Sequence, residues 1–144
     1  MGPQGISNIL IALDGSAGAN KAIAVSINIA KRFGADLHAS SIEEDLPHCA
    51  IGLIRESRTE QEESRYFQRI VEEARQAAHK EGVTMHPHIL PGHEVETIIR
   101  FVREPAIDVL AIGFTGHSNV MGQIWGSTSQ SLTQQAPCHV LVVK

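Results

Sequence analysis

The chain has 144 residues, of which 42% are hydrophobic and 19% charged; that length and balance predict one globular domain with a substantial core and exclude the disordered and disulfide-rich classes. The formal net charge is -4 and the pI is near 6.0. Lys31-Arg32 is the densest basic pair, so no nucleic-acid partner is expected, because neutralising phosphates takes clustered Lys and Arg.

In chain order, Ile6 to Leu13 (ISNILIAL) is a short apolar run ending at the turn signal Asp14-Gly15-Ser16, and reads as a buried strand. Ala19 to Phe33 is apolar around most of its circumference and stops at Gly34, as a helix pressed onto a sheet would. Leu37 to Ile42 is the second strand, made unusually polar by Ser40 and Ser41. Glu43 to Arg55, with Pro47 and Gly52, reads as a long loop. A helix follows from about Thr59 to His79, where Phe67, Ile70, Val71, Ala74 and Ala78 recur at three- and four-residue spacing before Gly82.

Val83 to Leu90 is a third strand, turned by Pro91-Gly92. Val95, Ile98, Ile99 and Val102 then form the stripe of a third helix ahead of Pro105. Ile107 to Ile112 is a fourth strand. A glycine-punctuated loop, Gly113 to Gly126, leads to a polar helix over Ser127 to Gln135, and His139 to Val143 is the last strand.

Near-continuous apolar strands alternating with helices predict an α/β fold whose parallel sheet is covered on both faces. Right-handed crossovers favour a doubly wound five-stranded sheet, expected in the order 3-2-1-4-5. Ligands of such sheets sit beyond the carboxyl ends of the strands, where the winding reverses. That crevice falls between strands one and four, so the loops at Asp14-Gly15-Ser16 and Gly113 to Thr128 are the candidate site.

The second loop has three features suited to phosphate. Gly113 and Gly116 let backbone N–H groups approach a ligand without interference from a Cβ. Gly126 opens the last helix, whose first N–H groups lack internal partners and carry the positive end of the dipole. Ser127 and Thr128 add hydroxyls in its first turn. A purely structural reading stays open, in which the glycines satisfy turn geometry and Ser127 caps the helix. Asp14 is a plausible Mg²⁺-facing carboxylate, or else an Asx-turn residue bonded to its own backbone.

The spacing G-x2-G-x9-G-[ST], carried by Gly113, Gly116, Gly126 and Ser127, resembles the nucleotide-binding pattern of ATP-binding universal stress proteins. The opening ILIALDGS, the strand IDVLAIG and the ending APCHVLVVK are similar to further segments of that family, and the likeness runs from Ile6 to Lys144 except around Glu43 to Arg55. The resemblance implies bound ATP with Mg²⁺. Asp14 would face the ribose or the metal ion, and Ile42 would pack near the adenine. Gly113 and Gly116 would line the nucleotide, and Gly126, Ser127 and Thr128 would hold the phosphates. It also implies a homodimer formed through the C-terminal strand. Ser40, Ser41, Trp125 and His139 depart from the family's usual residues.

Rival motifs are absent. No GxxxxGK[ST], GxGxxG or GxSxG occurs. A receiver domain would need an acidic pair after strand one and an Asp after strand three, where His88-Ile-Leu-Pro91 stands. No general base is evident, so hydrolysis is expected to be slow at most, and an enzyme of the related adenine-nucleotide-hydrolase type lacks its catalytic residues. The second function class is a dimeric interaction protein of the same fold that binds no nucleotide.

Cys49 and Cys138 form no CxxC or zinc spacing, which points to a reduced, cytoplasmic setting. The N-terminal residues show no secretory leader and no run approaches about 18 apolar residues, so no membrane partner is expected. Eight histidines would move the formal charge from -4 to +4 if all were protonated, making solubility sensitive to pH. His86 and His88 share a strand face near His93, but lack accompanying Cys or carboxylate spacing and read as surface histidines rather than metal ligands.

Overall fold

The computed structural model describes residues 5–14, 17–43, 60–104, 106–114 and 127–144, and within them strands and helices alternate as expected. Strand β1 is Asn8–Ala12, helix α1 Ala17–Phe33 and strand β2 Asp36–Glu43. Helix α2 is Glu60–Lys80, strand β3 Met85–Pro91 and helix α3 Glu94–Arg103. Strand β4 is Val109–Gly113, helix α4 Ser127–Gln135 and strand β5 His139–Val143. The sheet order is β3-β2-β1-β4-β5, with every pairing parallel. The loop expected over Glu43 to Arg55 falls outside the described residues except for Glu43, which ends β2.

Alternation along the strands splits the core between two faces. Ile9, Ile11, Leu37, Ala39, Val109 and Ala111 pack with Ala22 and Ala30 of α1 and Val71, Ala74 and Ala78 of α2. On the opposite face Leu10, Leu110 and Ile112 meet Ile98 and Val102 of α3 and Leu132 of α4. Leu10, Leu110, Ile98 and Leu132 are fully buried, and each such side chain contributes about 1.5–3 kcal/mol from apolar area removed from water. The stripes read from the sequence are therefore the faces that enclose the sheet.

Strand limits differ from the sequence expectation by one or two residues. β1 begins at Asn8, because Ser7 and Asn8 give their N–H groups to the Asp108 carboxylate at 2.8 and 3.0 Å ahead of the ladder. β3 begins at Met85, because Val83 is still tied to the end of α2 by its N–H to the Ala78 carbonyl, with Gly82 left-handed between them at φ 75°.

The two sheet edges are built differently. Leu37 N–H takes the Thr84 carbonyl and Gly92 N–H the Glu43 carbonyl. In a parallel ladder one residue's N–H and C=O point to the same side, so His86, His88 and Leu90 face β2 while Pro87 and Pro91 face outward. Both prolines of β3 thus stand where no ladder donor is needed, as on an edge strand. At the other edge, Phe114 N–H donates to the Val143 carbonyl. Val143, Leu141 and His139 accordingly face β4, and Val140 and Val142 present their backbone groups outward.

Candidate functional site

The site is built at the carboxyl ends of β1, β2 and β4. Asp14 follows β1, half-buried. The β1–β2 ladder continues past the strand, with Leu13 N–H donating to the Ser40 carbonyl at 2.8 Å, so Asp14 leaves the sheet beside the end of β2. Ile42, at that end, is 8% exposed and joins the core under α3 and α4. Gly113 ends β4 on the other side of β1. The fold therefore brings Asp14 and Gly113 to one rim, the carboxyl ends of neighbouring strands, with Ile42 buried at the end of β2.

The first turn of α4 reaches the same rim. Ser129 Oγ donates to the Gly113 carbonyl at 3.0 Å, and Thr133 Oγ1 donates to the Ser129 carbonyl at 2.8 Å. This pins the polar helix to the end of β4. Ser127 is exposed and Thr128 half-buried. Gly116, Gly126, His117 and Trp125 lie outside the described residues, as do His48 and Cys49.

Gly113 has a role that the glycine spacing alone does not reveal. A Cβ built on it would stand 2.6 Å from the Gly18 carbonyl carbon and 2.9 Å from the Ala19 nitrogen. The space is taken by the backbone of α1, so this glycine serves close strand–helix packing. That contact also draws the start of α1 onto the rim.

Two helix starts, those of α1 and α4, meet this rim beside the Asp14 carboxylate, and neither has a carboxylate in its own first turn, whereas α3 carries Glu94 and Glu96. The helix starts on either side of the β1–β4 boundary thus keep the positive ends of their dipoles uncompensated from within.

In β2 both serines are buried. Ser40 Oγ lies 3.5 Å from the Ile11 carbonyl, while Ser41 Oγ, fully buried, has no hydrogen-bond partner among the described residues. Cys138 is half-buried, and burial pushes its thiol above the usual range, which leaves it a poor nucleophile. Among the described residues no helix is long and apolar enough to cross a membrane.

The histidine reading needs revision. His86 is exposed, but His88 is half-buried and its Nε2 lies 3.1 Å from Nδ1 of His38, a residue the sequence reading did not single out. Period-two alternation in Asp36-Leu37-His38 was the available signal; it puts Asp36 and His38 on one face of β2. No group of three metal-ligating side chains among the described residues is placed to hold an ion.

A doubly wound parallel sheet whose winding reverses between β1 and β4, with Asp14, Gly113 and the start of α4 at the carboxyl ends of the strands, defines a class of α/β domains. Comparison with known proteins narrows it: the universal stress protein family model matches residues 5–144, and the chain belongs to that family. A universal stress protein of Methanocaldococcus jannaschii is 30% identical over 142 residues, covering 94% of this chain and 81% of that one. The solved universal stress protein UspA from Lactobacillus plantarum is 26% identical, with a TM-score of 0.81 over 97% of this chain and 99% of that one. A family protein from Arabidopsis thaliana, solved with AMP bound, shares the fold at a TM-score of 0.69 and 15% identity, covering 96% of this chain and 91% of that one.

Proposed function

We propose that this universal stress protein binds ATP across the carboxyl ends of β1 and β4 and acts as a regulatory or stress-response protein. The observation that carries this reading is the pair of helix starts, α1 and α4, that meet the rim without acidic residues in their first turns. An anionic ligand suits such a place. The Arabidopsis relative solved with AMP makes an adenine nucleotide the natural choice. Asp14 would take the ribose or a Mg²⁺ ion, and Ile42 would pack near the adenine. Gly113 and Gly116 would line the nucleotide, while Gly126, Ser127 and Thr128 would hold the phosphates. Bound Mg²⁺ would supply charge neutralisation. We further propose that hydrolysis is slow at most.

The protein is further proposed to be a cytoplasmic homodimer joined through β5. One sheet edge is blunted by Pro87 and Pro91, whereas β5 presents Val140 and Val142 with donors intact. A second copy would pair with that open edge in an isologous contact.

A second reading has its own support. Because the missing Cβ of Gly113 is explained by the backbone of α1, that glycine does not by itself call for a ligand, and a dimeric interaction protein without nucleotide would need it equally. The test is to denature the purified protein, look for released ATP, ADP or AMP by mass spectrometry, and titrate nucleotide-free protein with ATP and Mg²⁺. Binding that is lost in a well-folded Gly116→Val variant supports the first reading. No released nucleotide together with no ATP binding establishes the second.

A further inference from the structure

Three of the eight histidines meet on one strip of the sheet, away from the rim. His38 of β2 and His86 of β3 are register partners, and His88 follows two residues on, on the same face. The ring centroids of His38 lie 5.0 Å from those of His86 and 5.4 Å from those of His88. His38 Nδ1 and His88 Nε2 are 3.1 Å apart, with the ring planes within 18° of each other, so one proton is shared across this contact. On its other side His38 Nε2 meets Oδ1 of Asn8 in β1 at 3.4 Å. An amide oxygen only accepts; His38 Nε2 therefore carries a hydrogen, and its Nδ1 accepts from His88 Nε2–H. Phe101 of α3 packs against both rings, its centroid 6.2 Å from His38 and 4.6 Å from His88.

Such an arrangement suits neutral imidazoles and resists charged ones. One added proton is accommodated when His88 changes tautomer and its Nε2 becomes the acceptor. A second makes donors of both facing nitrogens. The hydrogen bond is then lost, and positive rings stand side by side with His86 next to them. Burial, and then the neighbouring imidazoles, hold His38 and His88 below the ordinary histidine pKa. Asp36, two residues before His38, is the charge that opposes this shift for His38. The contacts from the other elements are neutral, Asn8 from β1 and Phe101 from α3.

β3 is an edge strand, hydrogen-bonded to β2 along one side, and two of the three histidines belong to it. We propose that His38, His86 and His88 form a proton-operated latch that holds β3 to β2 at neutral pH and loosens it in mild acid. The sign follows from linkage. Once β3 is detached, His38 and His88 take up protons near the ordinary pKa of about 6.5; in the closed sheet they do so only at lower pH. The open form therefore binds more protons as pH falls below about 6.5, and acid favours it. Above that value the latch is fully closed. Because the closed pair accommodates one proton and resists the second, the two forms differ by about one proton, and the opening equilibrium shifts by up to about tenfold per pH unit.

Amide hydrogen exchange of His86, His88 and Leu90, whose N–H groups face β2, tests the latch in the whole protein. From pH 7 to pH 5 their protection factors, corrected for intrinsic exchange, should fall by more than about tenfold, while those of Leu10 and Leu110 in the central strands change less. The same loss should be much reduced in His88→Gln and unaltered in His93→Gln, an exposed histidine outside the cluster. Constant β3 protection across this range, or an undiminished loss in His88→Gln, overturns the proposal. Should that variant not fold, NMR titration of the wild-type imidazoles decides: midpoints for His38 and His88 at or above the ordinary histidine value of about 6.5 refute the latch.

Discussion

Gly113 and Gly18 meet backbone to backbone: a Cβ on Gly113 would lie 2.6 Å from the Gly18 carbonyl carbon. Neither partner can yield as the tip of a flexible side chain would, since one closes β4 and the other lies in the first turn of α1. Gly113→Ala is therefore expected to cost about 1–3 kcal/mol through overpacking. The measurement is urea unfolding, with a lower midpoint at unchanged slope. A variant as stable as the wild type would show that α1 does not approach β4 this closely.

Ser41→Ala is expected to act in the opposite direction. The hydroxyl is fully buried and has no partner among the described residues, and a buried unsatisfied polar group costs about 1–3 kcal/mol. Removing it should raise stability by about 1 kcal/mol, since alanine leaves only a small void. A loss of similar size in thermal unfolding would mean that the hydroxyl is hydrogen-bonded after all.

Asp14→Ala should weaken MgATP binding by roughly ten- to a hundredfold, the scale of a hydrogen bond or ion contact to a charged group. Calorimetric titration with Mg²⁺ and with a chelator separates the two roles open to the carboxylate. A loss confined to the Mg²⁺ condition indicates metal contact, and an equal loss in both indicates ribose contact. Unchanged affinity in both would return Asp14 to a turn-forming role.

At β5 the two adjacent prolines should behave differently. Val142 faces its N–H outward, while Leu141 faces β4, as the Phe114 bond to Val143 implies. Val142→Pro should shift a dimer toward monomer and leave the β4–β5 ladder standing. Leu141→Pro removes a ladder donor and should lower stability by several kcal/mol, on the order of the cost of proline in a hydrogen-bonded element. Sedimentation reads the first effect and unfolding the second. A wild-type chain that remains monomeric at high micromolar concentration would refute pairing through this edge.

The order of elements, the doubly wound sheet and the rim at Asp14 and Gly113 were legible in the amino-acid sequence. Their signals are local: period-two and period-3.6 apolar patterns, turn residues, and the handedness of crossovers. Asp14 and Gly113 could be placed together without coordinates, since any sheet that reverses between its first and fourth strands brings those loops to one crevice. The register between strands was not legible, and it decides the rest. Only β2–β3 pairing, with His38 opposite His86, joins His38 to the two histidines of β3 in one cluster. The last turn of the β4–β5 ladder makes Val142 the outward donor, and the seating of α1 on the sheet shows why Gly113 lacks a side chain. These relationships join residues tens of positions apart, and a one-residue slip in a strand would send every side chain to the other face; packing of the two cores against the sheet selects the register, and that selection exists only in the folded chain.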